Sequence, residues 1–405
     1  MKIQSIKGKS ILDSRGKDTV EVEVKTKEGV FISSTPSGTS SGSHEAIEKP
    51  AEEAVQNING IIAEKFCGKE FKSQEQVDSA LIAIAGKNKT KLGVNAVLPV
   101  SIACCRAFAK EQNLPLYSYI SKISNNSDIK LPVPSFLLIE GAKHAENTLN
   151  VQEFMVVPNE KTFSENYKTV KIVYNELKER LEEKFGKQGI AIGMEGGFTP
   201  KIRTTKQALD LIFDIVKKNN CKIALDVAAS EFYENAKYNF EGKETTSDEL
   251  SLFYKELIKY PIVSIEDPFA EDDIEGWKKT KELRDRPARN ASHGEAGGGV
   301  LIVGDDLTVT NTERIVGAYE QNLCNAVILK PNQIGTVTET IKSANLAKEY
   351  GWKRIVSHRS GDTMDDFIAD LSVGISAEFI KSGSSEREER KIKYDRLLQI
   401  EQDLL

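Results

Sequence analysis

Histidine and cysteine are scarce in this chain. Its 405 residues include four histidines and five cysteines, an odd number without a CxxC spacing, at Cys67, Cys104, Cys105, Cys221 and Cys324. Such usage is typical of reduced, buried thiols and predicts a cytoplasmic protein. A zinc site would have to be built mostly from carboxylates. Any metal site is therefore expected to hold Mg²⁺ through oxygen ligands.

Long apolar runs and an excess of one charge are also missing. No stretch approaches the length of a membrane span, and residues 1–8 carry lysines in place of the apolar run of a signal peptide. The 61 acidic and 55 basic side chains are mixed along the chain and leave a net charge of −6. Nucleic acid and membrane are therefore not expected as partners.

The length of the chain favours two domains. Residues 20–32 alternate between apolar and polar side chains around a Lys-Glu-Gly turn, which predicts an antiparallel hairpin. Apolar residues at helical spacing follow in three segments, at residues 45–65, 73–84 and 92–109. We expect residues 1–125 to form a small α+β domain that ends in a polar, proline-containing connector.

The remaining residues, 133–405, contain short apolar runs separated by amphipathic segments. Eight such runs lie at residues 154–157, 190–192, 223–225, 263–265, 301–303, 326–329, 354–356 and 378–380. This alternation predicts an α/β fold of the (β/α)₈ barrel type. Thr246 and Glu249 precede an apolar-periodic run and predict a helix that begins with a capping box.

Ionisable side chains follow most of these runs. Six runs end at, or within three residues of, Glu195, Asp226, Glu266, Asp305, Lys330 and Lys381, and a seventh ends in the sequence Ser-His-Arg-Ser at residues 357–360. A single charge after a strand is usually the solvated start of a loop. The carboxyl ends of barrel strands meet at one mouth of the barrel. Seven runs that all end in such residues therefore predict a catalytic site at that mouth.

These residue types suit proton chemistry beside a hard cation. Asp226, Glu266 and Asp305 follow three consecutive runs and are expected to share Mg²⁺, since buried carboxylates without a cation repel one another. A lysine beside such a cation, Lys330 or Lys381, can lose its proton and act as a general base. Glu153 and Glu195 supply carboxyl groups that can stay protonated. The set predicts removal of a carbon-bound proton and departure of a protonated hydroxyl.

Several longer motifs resemble those of the enolase family, in the family's order and over essentially the whole chain. They include Asp13-Ser14-Arg15-Gly16, the lid-like segment from Pro36 to Gly42, His144-Ala145, Glu195-Gly196-Gly197-Phe198, Ser264-Ile265-Glu266-Asp267-Pro268, Lys330-Pro331-Asn332, Ser357-His358-Arg359-Ser360 and Ile380-Lys381-Ser382-Gly383. The resemblance implies a lid-bearing α+β domain, an enolase-type barrel with a ββαα start, and a homodimer.

The resemblance also implies a reaction, the Mg²⁺-dependent, reversible dehydration of 2-phosphoglycerate to phosphoenolpyruvate. Lys330 would remove the C2 proton, and Glu195, helped by Glu153, would protonate the leaving hydroxyl. Two Mg²⁺ ions would be held, one by Asp226, Glu266 and Asp305 and one with the help of Ser40 in the lid. The remaining substrate contacts would come from His144, Glu153, Ser357, His358, Arg359, Ser360 and Lys381.

Some positions depart from the family pattern. Met194 stands where aspartate is usual before Glu195, and Glu140 stands where asparagine is usual. A Gly-rich insertion at 284–299 is expected on the barrel face opposite the site. Two other functions therefore stay open: an enolase-like paralogue with a binding or structural role, and an acid-sugar dehydratase. Retention of every predicted acid, base and metal position argues against the first, and the lid and Ser-His-Arg-Ser motifs argue against the second.

Overall fold

A computed structural model describes residues 1–39, 42–145, 147–285 and 299–405. The N-terminal domain begins with a three-stranded antiparallel sheet in the order β1-β2-β3. Its strands are β1 (Ser5–Leu12), β2 (Asp18–Thr26) and β3 (Gly29–Ser34). The hairpin predicted over residues 20–32 is confirmed as β2 and β3, which pair with Val24 opposite Phe31. Strand β1 was not predicted.

Five α-helices follow among the described residues of this domain. They are α1 (Ala51–Asn57), α2 (Ala63–Phe66), α3 (Gln74–Ala85), α4 (Val94–Glu111) and α5 (Leu116–Ile123). Helix α3 begins where predicted, and the Ser73 side chain accepts the N–H of Gln76 there. Helix α4 is buried on almost every side, as its all-round apolar pattern predicts. It packs against both β2 and β3 and so forms the centre of the domain.

The larger domain is a closed eight-stranded barrel, which confirms the predicted fold class. Around the barrel the strands follow the order β10-β11-β12-β13-β14-β4-β5-β6. Their bounds are β4 (Val133–Glu140), β5 (Glu153–Val157), β6 (Lys222–Asp226), β10 (Ile262–Glu266), β11 (Leu301–Gly304), β12 (Ala326–Leu329), β13 (Lys353–Ser357) and β14 (Phe379–Lys381). Strand β5 runs antiparallel to β4 and β6, whereas the other neighbours are parallel.

In the described part of this domain there are also ten α-helices and a small three-stranded sheet. The sheet contains β7 (Tyr233–Glu234), β8 (Lys237–Phe240) and β9 (Lys243–Thr245). The helices are α6 (Phe163–Phe185), α7 (Thr205–Lys218), α8 (Ser247–Leu257), α9 (Ile274–Lys279), α10 (Lys281–Arg284), α11 (Thr312–Glu320), α12 (Pro331–Ile334), α13 (Val337–Glu349), α14 (Phe367–Gly374) and α15 (Glu388–Leu404). The order β4-β5-α6-α7 is the predicted ββαα start. The capping box at Thr246 is present at the start of α8.

One of the eight predicted barrel strands is wrong. Residues 186–190 form a short 3₁₀ turn, and Ile192 makes only an isolated bridge to Phe198. The first barrel strand is instead β4, whose beginning has the appearance of a proline-rich connector in the sequence. Pro134 fits there because it lies second in the strand, opposite Ile380, where a missing N–H is tolerated.

Alternating side chains of the strands fill the barrel. Leu137, Met155 and Ala224 lie on three neighbouring strands and form one buried cluster, and a second comes from β11, β12 and β13. The intervening residues, such as Phe154 and Leu225, join the larger core beneath the helices. Among the described residues no helix is both long and apolar enough to cross a membrane.

A buried ion pair joins the two domains beside the mouth of the barrel. Arg106 on α4 donates from Nη1 to Asp365 Oδ2 at 2.8 Å and from Nη2 to Asp365 Oδ1 at 2.9 Å. Its Nη2 also donates to Asp366 Oδ1 at 2.9 Å. Burial alone would raise the pKa of Asp365, but Arg106 outweighs burial and holds that pKa at about 2.

We expect Arg106→Met to lower the free energy of unfolding at pH 7 by about 3 kcal/mol, because Asp365 would stay buried without its counter-charge. The pKa of Asp365 lies below its unfolded value, so the pair stabilises the fold above about pH 4 and is lost as pH falls toward 2. Urea unfolding at pH 7, 4 and 3 measures this difference, which should shrink with acid. Arg203→Met, at an exposed position, is the matched control.

A difference between wild type and Arg106→Met that stays constant down to pH 3 would contradict this assignment of the stabilising charge to Asp365.

Candidate active site

The predicted charged residues converge on a single cleft of about 450 Å³ at the carboxyl ends of the barrel strands. Its lining includes most of the residues predicted from the sequence, namely His144, Glu153, Glu195, Asp226, Asp305, Lys330, Ser357, His358, Arg359, Ser360 and Lys381. Glu266 ends β10 and accepts a hydrogen bond from Lys381, which lines the cleft. Ser40 lies outside the described residues. The functional roles of all these residues stay predictions.

Strand direction explains why Glu153 lies in the cleft although it begins its strand. Strand β5 is antiparallel to its neighbours, so its first residue lies at the end where the others have their last. Glu153 is thus opposite both Glu140, the last residue of β4, and Asp226, the last of β6. The family resemblance implied that Glu153 belongs to the site, and the antiparallel strand gives the structural reason for its position.

Lys381 is surrounded by carboxylates. Its ammonium group donates to Asp226 Oδ2 at 2.6 Å and to the two oxygens of Glu266 at 3.0 and 2.9 Å, and it lies 3.3 Å from Glu153 Oε2. Burial opposes the charge of Lys381, but the three carboxylates outweigh burial and raise its pKa well above the ordinary value. A cation between Asp226 and Glu266 is therefore favoured by this arrangement of side chains.

Lys330 forms a second buried ion pair, with Asp305 Oδ2, and Gln333 Nε2 donates to Asp305 Oδ1 at 2.8 Å. Burial would raise the pKa of Asp305, but Lys330 outweighs it and lowers that pKa. In the same way, burial would lower the pKa of Lys330, and Asp305 raises it. Lys330 is thus protonated in this state.

The acid side of the cleft contains His144, Glu153 and Glu195, whose ligand-type atoms lie within 4.8 Å of one another. Burial, reinforced by the charge of Glu195 and Asp226 against the opposing effect of Lys381, raises the pKa of Glu153 to about 8. His358 approaches from the other side, with Nε2 3.4 Å from Glu195 Oε2, and burial lowers its pKa well below the ordinary value. The site can therefore keep a carboxylic acid proton near neutral pH.

Asp267, Asp305 and Asp306 form another group whose oxygens lie within 4.8 Å of one another. Asp267 accepts the backbone N–H groups of Asp305 and Asp306, both at 2.9 Å, and so holds the loop after β11. Burial, followed by the charge of Asp305, raises the pKa of Asp306 to about 8. From the sequence, Asp267 and Asp306 were expected to support the site and were not among the residues predicted to bind metal or substrate. Such a group suits a hard cation.

The Ser-His-Arg-Ser segment meets the N-terminal domain through an ion pair that the sequence did not predict. Arg359 Nη1 donates to Glu45 Oε2 at 2.8 Å and its Nη2 to Glu45 Oε1 at 3.2 Å. Arg390 on α15 supports the segment from behind, because its guanidinium donates to the carbonyls of Arg359 and Ser360 at 2.6 and 2.7 Å. Glu45 occupies the guanidinium fork that an anionic ligand would use.

Arg15 and Asp13 connect this segment to the start of the lid. Arg15 donates from Nη1 to Thr39 Oγ1 at 2.7 Å and from Nη2 to Asp13 Oδ2 at 2.7 Å. Ser360 Oγ accepts the backbone N–H of Thr39 at 2.7 Å. Gly361 lies against the pair, since a Cβ there would be 2.2 Å from Arg15 Nη2 and 2.3 Å from Asp13 Oδ2.

We expect Gly361→Ala to weaken binding of inorganic phosphate about tenfold, because the methyl group would push Arg15 away from Thr39, which itself donates to Ser360. Isothermal titration calorimetry measures the affinity. Gly317→Ala is the matched control, since a Cβ at that helical position meets no atom within 4 Å. Equal phosphate affinity in the wild type and Gly361→Ala would contradict a role for this packing in anion binding.

Two protein-family models match the chain. One is described as the enolase N-terminal domain and matches residues 3–120, and the other is described as the enolase C-terminal TIM barrel domain and matches residues 128–405. The two matches follow one another in the order of the two structural domains and cover almost the whole length. They agree with the sequence motifs and with the closed barrel. The chain belongs to the enolase family.

Proposed function

We propose that this protein is a phosphopyruvate hydratase, which reversibly dehydrates 2-phosphoglycerate to phosphoenolpyruvate with the help of Mg²⁺. The observation that carries the proposal is the position of the base relative to the acid pair, in which Glu153 lies beside Glu195. Lys330 follows β12 and Glu153 begins β5, and these strands are four apart in a closed barrel of eight. The two groups therefore face one cleft from opposite sides, as removal of a proton and a hydroxyl from adjacent carbons requires.

The donor set suits a divalent cation that binds oxygen. Asp226 and Glu266 already share the ammonium group of Lys381, and Asp305 shares that of Lys330. These carboxylates would hold Mg²⁺, and Ser40 with the Asp305 loop would help to hold a second ion. A bound divalent cation would supply positive charge next to the substrate carboxylate, where negative charge develops when the C2 proton leaves.

The side chains of the cleft then have separate tasks. Once a cation engages Asp305, Lys330 gives its ammonium proton to solvent, and the neutral amine then accepts the C2 proton at Nζ. Glu195 gives a proton to the leaving hydroxyl, with Glu153 and His144 beside it. Arg359 and Ser360 bind the phosphate, which has to displace Glu45 from the guanidinium group. Lys381 and His144 contact the substrate.

The family resemblance and the cysteine usage support a cytoplasmic homodimer as part of this proposal. Sedimentation equilibrium of the purified protein tests the dimer.

The reaction is tested by the ultraviolet absorbance of phosphoenolpyruvate after 2-phosphoglycerate is added to purified protein with Mg²⁺ or with EDTA. We expect absorbance to grow only with Mg²⁺. Glu266→Gln should lose both Mg²⁺ affinity and activity, because one negative charge of the cation site is removed. Glu256→Gln, with a side chain 65% exposed, is the matched control and should keep both.

Two outcomes would overturn the proposal. Folded, Mg²⁺-saturated protein without any turnover would favour the non-catalytic paralogue. Dehydration of an acid sugar such as gluconate, without turnover of 2-phosphoglycerate, would favour the acid-sugar dehydratase.

A further inference from the structure

Glu140 ends strand β4 directly behind the acid side of the cleft. Its side chain has no exposed surface. Glu140 lies directly opposite Glu153 in the antiparallel pair of β4 and β5. Its backbone is fixed on both sides, because its N–H donates to Phe198 O at 2.9 Å and its carbonyl accepts from Asn147 Nδ2 at 2.7 Å. This glutamate replaces the asparagine that is usual in the resembling family. The site described above gives it no task.

The Glu140 carboxyl group binds the backbone of the turn that carries Glu195. Oε1 accepts the N–H of Glu195 at 3.1 Å and the N–H of Gly197 at 2.7 Å. The turn is closed by the N–H of Gly193, which donates to Gly197 O at 2.8 Å. A Cβ on Gly193 would lie 2.3 Å from Glu140 Oε2, so the turn approaches the carboxyl group more closely than any residue but glycine allows.

The second carboxyl oxygen of Glu140 is buried and has no hydrogen-bond partner within the described part of the chain. An ionised carboxylate in this place would have an unsatisfied oxygen beside Glu195 and Glu153. Burial, followed by the charge of Glu195, raises the pKa of Glu140 well above the ordinary value. The two N–H groups of the turn thus require a carbonyl-type acceptor at Oε1, whereas no group binds a negative charge at Oε2.

We propose that Glu140 is a positioning residue for Glu195: its Oε1 fixes two N–H groups of the 193–197 turn and thereby aims the acid at the substrate. The proposal rests on the dehydratase function above. It also gives a reason why Met194 is tolerated where aspartate is usual, because the turn is held through its backbone by Glu140 and does not depend on the side chain at 194.

The test compares Glu140→Gln with Glu140→Met. Glutamine keeps the acceptor oxygen without a charge, whereas methionine keeps the volume and removes the acceptor. We expect Glu140→Met to lower kcat about 100-fold with KM within threefold, since displacement of a catalytic group by about 1 Å has such an effect. Glu140→Gln should stay within threefold of the wild type in both constants.

Hydrogen exchange of the peptide covering residues 190–200, followed by mass spectrometry, reports on the turn without any turnover. It should speed up at least tenfold in Glu140→Met and stay unchanged in Glu140→Gln. Glu401 is the matched control, because its carboxylate likewise accepts two backbone N–H groups, those of Phe163 and Ser164, away from the cleft. Glu401→Met is expected to lower stability and to leave kcat unchanged.

The outcomes separate the two proposals. If the wild type is active and Glu140→Met has the same kcat and the same hydrogen exchange as the wild type, only the positioning role is overturned. The same is true if Glu140→Gln loses as much activity as Glu140→Met, since the charge and not the acceptor would then matter. If the wild-type protein has no dehydratase activity, the proposed function is wrong, and the proposed catalytic role of the turn is wrong with it.

Discussion

Lys330→Met is expected to abolish the reaction, with kcat lower by about 10³-fold and with exchange of the C2 hydrogen of 2-phosphoglycerate into deuterated water lost as well. The physical reason is that Nζ of Lys330 is the group that takes the C2 proton. The variant also leaves the Asp305 carboxylate without its ammonium partner. Rates of dehydration and of exchange are measured by proton NMR with Mg²⁺ at saturation.

Lys342→Met is the matched control, because that lysine lies on the outer side of α13 with 61% of its side chain exposed. It should leave both rates within twofold of the wild type. Exchange of the C2 hydrogen at the wild-type rate in Lys330→Met would assign the base to another residue, for which Lys381 is the next candidate.

Glu195→Gln is expected to separate the two proton transfers. Dehydration should fall by about 10³-fold, because the glutamine amide cannot protonate the leaving hydroxyl. Exchange of the C2 hydrogen should persist within tenfold of the wild type, since Lys330 lies on the other side of the barrel and is unchanged. The turn should also persist, because Glu140 binds its backbone and not the Glu195 side chain.

The same NMR time course measures both rates in Glu195→Gln. Glu183→Gln, at an exposed position of α6, is the control and should leave them unchanged. Loss of exchange and dehydration to the same extent would contradict a role for Glu195 as the acid alone. It would indicate that the residue also acts in removal of the C2 proton.

Much of the fold could be predicted from local pattern. Strict alternation predicted β2 and β3, the all-round apolar segment predicted the buried α4, and Thr246 with Glu249 predicted the start of α8. Strand β4 was missed because Pro132 and Pro134 favour a connector when only sequence is considered. The apolar run at 190–192 predicts a barrel strand because its length and composition resemble those of the true strands, and only the closed barrel excludes it.

The site could be predicted wherever a charge follows a strand, as with Asp226, Lys330 and Lys381. Contacts between segments that are distant in the sequence could not be predicted in this way. The pairing of Glu45 with Arg359 joins residues from different domains, and the Asp267 carboxylate accepts backbone N–H groups from the loop after β11. Glu140 was noticed only as a departure from the family pattern. Its carboxyl group binds a turn that lies more than fifty residues later in the chain, and local sequence pattern does not reveal that contact.

The most direct measurement of the central claim is ³¹P NMR of the reaction started from each side. Purified wild-type protein with Mg²⁺ should convert 2-phosphoglycerate to phosphoenolpyruvate, and phosphoenolpyruvate to 2-phosphoglycerate, until both samples reach the same ratio, and EDTA should stop both conversions. Folded protein that binds Mg²⁺ and yet leaves both compounds unchanged would contradict the account.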